Sequence, residues 1–194
     1  SSTFDGEERI AGQVHQNLAP AHPDLLTIIV PRHPVRADDI EADLIARGLH
    51  VSRRSLGHQI TEQTEIYLAD TMGELGLFYR IAPVCFMGKS LCSTGGQNPL
   101  EPARLGCAIL HGPDMSNFAI ISQEMLAAGA CRPASDADDL TRQLGGFLRD
   151  PASAEKVAAA GLAYASSKAE VLDRSLDAID PLIADIPTHG GGNA

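Results

Sequence analysis

The sequence predicts an α/β domain built on a doubly wound parallel sheet of about six strands, with helices on both faces. Short apolar runs alternate with amphipathic stretches over the first two thirds of the chain, which is the order of strands and crossover helices in such a sheet. Most of these runs lack regular apolar–polar alternation, as expected for strands that are covered on both faces. The 194 residues match the usual size of one domain, about 100–200 residues.

Six apolar runs predict the strands. Four of them are strong and two are weaker. The strong runs are Leu25–Val30, Glu65–Ala69, Pro83–Met87 and Cys107–Leu110, and the weaker ones are His50–Arg54 and Ala130–Pro133.

Amphipathic stretches between and after these runs predict the helices. In Gly6–Leu18, the apolar residues Ile10, Val14 and Leu18 recur at every fourth position, so they share one helix face. The other predicted helices are Ala37–Ala46, Met72–Ile81, Pro99–Leu105, Phe118–Ala128, Asp136–Arg149, Ala152–Ala165 and Ser166–Ile183. We therefore expect one domain over residues 1–187 that ends in helices, and a disordered glycine-rich tail over residues 188–194.

The composition argues against several classes of protein. Lys and Arg number 15 against 25 Asp and Glu, so the formal net charge is −10, whereas non-specific nucleic-acid binding needs clustered positive charge. Aromatic residues make up 4% and Trp is absent, which also disfavours a base-stacking surface. No apolar run approaches the roughly 20 residues that span a bilayer. We expect a soluble domain that binds no nucleic acid.

The cysteines indicate neither a disulfide framework nor a metal site. Cys85, Cys92, Cys107 and Cys131 form no CxxC pair, and three of them lie in or beside apolar runs. Spacing of this kind is typical of free, mostly buried thiols in a reducing compartment.

Polar segments rich in Gly and Pro follow four of the predicted strands. Because the carboxyl ends of parallel strands meet at one edge of a sheet, these segments should line one binding crevice. The segments are Pro31–Pro34, Asp70–Gly76, Gly88–Pro99 and His111–Asn117.

The longest of these segments contains a candidate anion site. Gly95 and Gly96 lead towards the predicted helix Pro99–Leu105, and glycines together with a helix N-terminus suit a phosphate group. Lys89 precedes them and could add charge, although it could equally be an ordinary surface lysine. Neither a Walker motif nor GxGxxG occurs.

Four further residues of the crevice have two interpretations each. Glu74 and Glu101 follow Thr71 and Asn98 at the spacing of a helix capping box, and they could also face a ribose or phosphate. Arg32 could bind a phosphate in bidentate fashion. Its neighbour His33 could act as a base or simply make a structural hydrogen bond.

Together these segments resemble the C-terminal half of the 3-deoxy-D-manno-octulosonic acid (Kdo) transferases. The resemblance spans about residues 1–120 in the family's order, and the MGELGLFY and NPLEP stretches are its most specific parts. The matching segments are Ser2-Thr3 with Gly6-Glu7-Glu8, Pro31–Pro34, Asp70–Tyr79, Gly95–Pro102, and His111-Gly112-Pro113 with Asn117-Phe118.

The resemblance implies the Rossmann-like donor domain of a GT-B glycosyltransferase that moves Kdo from CMP-Kdo to a lipid A precursor in lipopolysaccharide synthesis. It implies CMP contacts from Pro31, Arg32, Met72, Gly73, Glu74, Asn98, Pro99, Leu100 and Glu101. Possible further donor contacts are Thr3, His33, Lys89, Gly95 and Gly96.

In the family, an N-terminal domain carries the acceptor site, the membrane contact and a Glu that acts as general base. We therefore expect no catalytic residue in this chain, and binding of CMP or CMP-Kdo without transfer. The resemblance also implies a place at the cytoplasmic face of the bacterial inner membrane, and we expect neither a metal nor another cofactor. A UDP-sugar donor domain and a non-catalytic nucleotide-binding or interaction module are the alternatives.

The chain departs from the family pattern at three positions. Phe4 and Gln97 stand where the family often has His, and Lys89 stands where Gly is common. None of the three is among the implied CMP contacts, so any effect would fall on the sugar carboxylate or the phosphate.

Overall fold

The computed structural model describes residues 1–184, and side-chain surroundings as far as residue 168. Six strands and seven α-helices alternate as an α/β domain. The strands are β1 Thr27–Ile29, β2 Val51–Arg53, β3 Ile66–Leu68, β4 Val84–Met87, β5 Ala108–His111 and β6 Arg132–Pro133. The helices are α1 Glu7–Leu18, α2 Ala37–Ala46, α3 Leu75–Ile81, α4 Leu100–Arg104, α5 Ala119–Ala127, α6 Ala137–Arg149 and α7 Pro151–Ala184.

All described strand pairs are parallel, as predicted, but they form two sheets rather than one. The strand orders are β1-β3-β2 and β4-β5-β6. The expectation of a single sheet of about six strands is therefore wrong for the described residues. The physical reason is that β1 and β4 do not pair with each other: only the short segment Ser1–Thr3 lies between their carboxyl ends.

The central strand of each sheet is buried, which confirms the prediction from the unbroken apolar runs. Every residue of β3 and of β5 is buried. Around β5, one cluster packs Ile109 with Met125 and Ala165, and another packs Leu110 with Phe147. The helices therefore cover both faces of the β4-β5-β6 sheet, and the strand ends remain free to carry a site.

The helices agree with the sequence patterns except near the C-terminus. Ala152–Ala165 and Ser166–Ile183 were expected as separate helices, but α7 is continuous over 34 residues. Gly161, four residues before Ala165, does not end the helix, and no proline stands between Pro151 and Pro181, so the change of pattern near Ala165 does not mark a helix end. The predicted tail, residues 188–194, lies outside the described residues.

The four cysteines are free thiols, and three of them are buried. Burial raises the pKa of Cys107 to about 12 and that of Cys131 to about 11. Both thiols therefore remain protonated near neutral pH and act as core residues. Within the described part of the chain, no helix combines the length and apolar character needed to cross a membrane.

Candidate functional site

The N-terminal segment lies along the carboxyl end of β1. The Thr3 amide donates to the Val30 carbonyl at 3.1 Å, and the Arg32 amide donates to the Thr3 carbonyl at 3.0 Å. Thr3 is therefore adjacent to Pro31 and Arg32, two of the residues expected in the site. Both Arg32 and His33 are exposed, so the guanidinium is accessible to a ligand.

A buried carboxylate fixes the Thr3 side chain. Thr3 Oγ1 donates to Glu8 Oε1 at 2.8 Å, and Arg36 Nη1 donates to the same oxygen at 3.0 Å. Thr3 and Glu8 are each only 4% exposed. The Thr3 hydroxyl hydrogen is thus committed to the protein, and the side chain mainly holds the first turn against β1 and Arg36.

Glu7 fastens the long loop after β4 to the start of α1. Its Oε1 accepts from the amides of Ser90 and Leu91 at 3.0 and 3.1 Å, and its Oε2 accepts from the Lys89 amide at 2.7 Å. Oε2 also accepts from the Phe4 amide at 2.9 Å, and Glu7 is 2% exposed. A negative charge at the N-terminus of α1 is also favoured by the helix dipole, whose positive end lies there.

The same loop is tied to the segment after β5. The Gly95 amide donates to Asp114 Oδ1 at 2.8 Å, and the Gly96 amide donates to the Lys89 carbonyl at 2.8 Å. Ser90 Oγ accepts from the Gly112 amide at 2.7 Å. The amides of Gly95 and Gly96 are therefore already used within the protein and are not free donors for a phosphate.

The two glycines are required by the packing of the loop. A Cβ on Gly95 would lie 2.4 Å from Asn117 Nδ2, and a Cβ on Gly96 would lie 2.4 Å from Met115 Sδ. Both also have positive φ, at +114° and +68°. They shape the loop so that other groups can face the crevice.

Lys89 reaches the N-terminal segment from this loop. Its Nζ lies 5.3 Å from the centre of the Phe4 ring, and that ring meets His33 edge-on at 5.5 Å. The backbone of Lys89 is left-handed, with φ of +60°, a conformation that glycine adopts more easily. Phe4 is thus in contact with both Lys89 and His33 just beyond the carboxyl ends of β1 and β4.

Glu74 makes an ion pair and not a capping box. Arg54 Nε donates to Glu74 Oε2 at 2.6 Å, and Thr71 Oγ1 donates to the same carboxylate. Helix α3 begins only after Glu74. These bonds, first of all that from Arg54, lower the pKa of Glu74 to about 2, so it is ionised at neutral pH. The capping prediction for Glu74 is wrong because the helix begins later and Arg54 captures the carboxylate.

The NPLEP segment forms a helix shorter than expected. Asn98 Oδ1 accepts from the Leu100 amide at 3.0 Å, while Glu101 is exposed. The helix contains only five residues, Leu100–Arg104. Its dipole is correspondingly small, so Asn98 and Glu101 could offer side chains to a ligand, but the helix end by itself offers little field.

Glu74 also lines a polar hollow with a cavity volume of about 590 Å³. The hollow is open and its walls come mainly from the loop after β2. The other lining residues are Arg54, Ser55, Gly57, His58, Gln59, Ile60, Tyr67 and Thr71. A ligand that contacts Glu74 would have this hollow beside it.

The comparisons with known proteins give one family. No family model matches the chain. It is 35% identical to the 3-deoxy-D-manno-octulosonic acid transferase of Haemophilus influenzae over 185 residues, which cover 94% of the chain. It is 33% identical to the transferase of the same name from Bordetella pertussis over 187 residues, which cover 93% of the chain. It is also 34% identical, with a TM-score of 0.80, to the crystal structure of the C-terminal CMP-Kdo binding domain of WaaA from Acinetobacter baumannii; that match covers 84% of the chain and 85% of that domain. The chain belongs to the Kdo transferase family.

The chain spans less than half of its full-length Kdo transferase relatives, since each match covers 43% of their length. The fold is shared more widely. The C-terminal domain of a group 1 glycosyltransferase, LpcC from Francisella tularensis, superimposes with a TM-score of 0.59 at 14% identity. The α/β prediction and the expected GT-B fold are confirmed by the match to the Acinetobacter baumannii domain.

The structure connects part of the predicted Kdo transferase site directly. Backbone hydrogen bonds join Thr3 to Arg32 and Lys89 to Gly96. The Glu7 carboxylate accepts from the amides of both Phe4 and Lys89 and so links the N-terminal segment to the loop after β4. Glu74 and Glu101 lie on separate helix starts, where Arg54 holds the first and the second is exposed. Contact of any of these residues with CMP stays a prediction.

Sequence reasoning gave no individual role to three residues that shape the site: Glu7, Arg54 and Asp114. Glu7 lies in a segment that matches the family, and Asp114 lies in the predicted crevice segment His111–Asn117. The contacts of Arg54 and Asp114 had no local signal, since their partners Glu74 and Gly95 are about 20 residues away in sequence. In the described part of the chain, no group of three His, Cys, Asp or Glu side chains is placed to hold a metal ion.

Proposed function

We propose that this chain is the donor-binding domain of a Kdo transferase and holds CMP-Kdo at the carboxyl ends of its strands. The observation that carries the proposal is the 34% identity and TM-score of 0.80 to a CMP-Kdo binding domain. The rim of polar strand ends, with Arg32 exposed and Lys89 half-buried, supports it independently. The intact enzyme would transfer Kdo to a lipid A precursor at the cytoplasmic face of the inner membrane.

Binding of an anionic sugar nucleotide by a chain of net charge −10 must depend on local charge. Arg32 offers a planar guanidinium suited to a phosphate or carboxylate. Lys89 adds a second cation near the Phe4 ring. Glu74, kept ionised by Arg54, could accept hydrogen bonds from hydroxyl or amino groups of the ligand.

Donor binding and transfer are separate in this proposal. We expect the purified chain to bind CMP or CMP-Kdo weakly and to transfer nothing, because the acceptor site and the general base would lie in a different domain. Incubation with CMP-Kdo and a lipid A precursor tests this directly. Measurable transfer by the chain alone would contradict it.

Calorimetric titration with CMP and with UDP tests the donor class. CMP should bind more tightly than UDP. Because we expect binding without a metal, EDTA should leave the CMP affinity unchanged. Arg32→Ala should weaken CMP binding by about tenfold or more, the effect of losing a charge-assisted hydrogen bond. The control Arg149→Ala removes an exposed arginine from the end of α6 and should not change affinity.

Three other outcomes would contradict parts of the proposal. A preference for UDP would favour the UDP-sugar donor domain. Binding of neither nucleotide would favour an interaction module. Lost affinity on chelation would contradict metal-free binding.

A further inference from the structure

Two cations just beyond the carboxyl ends of β1 and β4 have no carboxylate partner in the described chain. Among residues 1–168, no Asp or Glu side chain forms an ion pair with Arg32 or Lys89. Arg36, in contrast, is paired with Glu8 a few residues further along the chain. In a chain with 25 acidic against 15 basic residues, two cations without acidic partners at neighbouring strand ends are available to an anionic ligand.

The ammonium group of Lys89 is restrained from both ends of the residue. The backbone amide donates to Glu7 Oε2 at 2.7 Å, and the backbone carbonyl accepts from the Gly96 amide at 2.8 Å. At the other end, Nζ lies 5.3 Å from the centre of the Phe4 ring, within the range of a cation–π interaction. The ring supplies no oxygen acceptor, so the N–H donors of the ammonium remain available to a ligand.

The backbone at Lys89 is also in a conformation that residues other than glycine seldom adopt. Its φ is +60°, and such positions concentrate at ligand-binding sites and tight turns. The preceding residue, Gly88, is packed so closely that a Cβ there would lie 2.4 Å from the Ser2 carbonyl oxygen. The loop therefore leaves β4 along a narrow path that brings the lysine side chain to Phe4. These restraints distinguish Lys89 from an ordinary surface lysine.

The donor named in the proposed function carries two anionic groups side by side. Kdo is an ulosonic acid, so its carboxylate is bonded to the anomeric carbon, which is also the carbon linked to the phosphate in CMP-Kdo. The two cations are arranged around one ring, because Phe4 contacts Lys89 and also His33, the neighbour of Arg32. Arg32 adjoins Pro31, an expected CMP contact, and its planar guanidinium suits the phosphate. Lys89, a compact point charge, is then left for the carboxylate.

We propose that Lys89 binds the sugar carboxylate of CMP-Kdo and thereby distinguishes the donor from CMP, the nucleotide that remains after transfer. This assignment rests on the proposed function, because it requires that the site hold CMP-Kdo. Total charge cannot make the distinction. The donor has one negative charge on the phosphate and one on the carboxylate, whereas a phosphate monoester such as CMP carries about −1.5 to −2 at neutral pH. The position of the lysine charge therefore separates the two ligands.

Calorimetric titration of Lys89→Met with CMP-Kdo and with CMP tests the assignment. The variant keeps an unbranched side chain and loses the charge. It should bind CMP-Kdo about tenfold or more weakly than the native chain does, the usual loss of a hydrogen bond between charged groups. Its affinity for CMP should fall by less than about threefold, because charges that are not in contact are screened by salt. Lys89→Arg retains the charge and should keep most of the preference for CMP-Kdo.

An analogue of CMP-Kdo with a carboxamide in place of the carboxylate tests the same contact without a mutation. The native chain should bind this analogue about as weakly as Lys89→Met binds CMP-Kdo. Lys156→Met, at an exposed position of α7, is the control and should leave the affinities for CMP and CMP-Kdo unchanged. Thermal unfolding of each variant establishes that it is folded.

The outcomes separate this assignment from the proposed function. Equal losses of CMP and CMP-Kdo affinity in Lys89→Met would place the ammonium at the phosphate and overturn the assignment. Unchanged affinities for both ligands would overturn it too, as would equal binding of CMP-Kdo and its carboxamide by the native chain. Failure of the native chain to bind either nucleotide would contradict the proposed function itself, and this assignment with it.

Discussion

At the scale of single residues, the Glu7 carboxylate holds the loop after β4 through its hydrogen bonds, although the sequence gave Glu7 no binding role of its own. Its two oxygens accept four amide hydrogen bonds, from Phe4, Lys89, Ser90 and Leu91. A side-chain amide has one acceptor oxygen in place of two, so Glu7→Gln leaves buried N–H groups without partners. Each buried group without a partner costs about 1–3 kcal/mol.

We expect Glu7→Gln to leave two amides unpaired, to lower the free energy of unfolding by about 2–6 kcal/mol and to weaken CMP binding, because the loop carrying Lys89 loosens. Denaturant unfolding and calorimetry measure the two effects. Glu155→Gln, at an exposed position of α7, is the control and should change neither. An unchanged CMP affinity in a destabilised variant would show that the loop position does not matter for binding.

The pair of Arg54 and Glu74 gives a prediction about ionisation. Arg54 is the main reason that the pKa of Glu74 is lowered to about 2. In Arg54→Ala the pKa should rise towards the ordinary value of about 4.3. Carbon-detected NMR titration of the Glu74 carboxyl measures this change, and a midpoint that stays near the native value would assign the shift to Thr71 instead.

At the scale of elements, the loop between β4 and α4 has little room for added side-chain atoms at its glycines. Gly95→Ala places a methyl group 2.4 Å from Asn117 and forces an alanine to φ of +114°. We expect it to displace the loop and weaken CMP binding. Gly146→Ala is the matched control, because a Cβ there meets nothing within 4 Å and the position is helical. Calorimetry on both variants measures the difference; equal affinities would contradict this account.

Local patterns predicted the elements well, and long-range partners explain the failures. The stretch Ala37–Ala46 agrees with α2 at both ends, since Gly48 stops the helix. Thr71 and Glu74 looked like a capping box because spacing alone cannot reveal Arg54 as a competing partner. Similarly, the motif segments predicted a binding site at the strand ends, but only the fold shows that the amides of Gly95 and Gly96 are already bonded.

At the scale of the whole molecule, strand order was the property that the sequence could not supply. Six apolar runs predict six strands, and the described residues contain six. Which strands pair with each other is set by long-range packing, and no local pattern contains that information. The family resemblance, in contrast, depends on many rim residues at once, so it identified the fold correctly.

Two buried histidines predict how the stability of the whole domain depends on pH. Burial lowers the pKa of His111, and it lowers the pKa of His15 although Glu65 partly opposes this. Both therefore bind a proton less readily in the folded state than in the unfolded chain, where a histidine takes one up below about pH 6.5. The free energy of unfolding should therefore fall between about pH 7 and 5, by up to about 1.4 kcal/mol per pH unit for each histidine.

Denaturant unfolding at pH 7, 6 and 5 measures this slope. The carboxylates of Asp70 and Glu74 have lowered pKa values, and they contribute little above about pH 5 because the unfolded chain also keeps its carboxylates mostly ionised there. A flat profile would mean that the two buried imidazoles are protonated in the folded state.

The left-handed backbone at Lys89 affects both the stability of the loop and its positive charge. A lysine held at φ of +60° costs about 1–2 kcal/mol relative to a residue without a Cβ, so glycine, which is common there in the family, is the relaxed choice. Lys89→Gly should raise the melting temperature, because glycine adopts this φ without strain, and should weaken CMP binding, because a positive charge is lost. Thermal unfolding and CMP titration of one variant test both effects, and a fall in both would show that the lysine is retained for stability. A higher melting temperature together with weaker CMP binding would mean that Lys89 lowers the stability of the loop while supplying a positive charge for the donor.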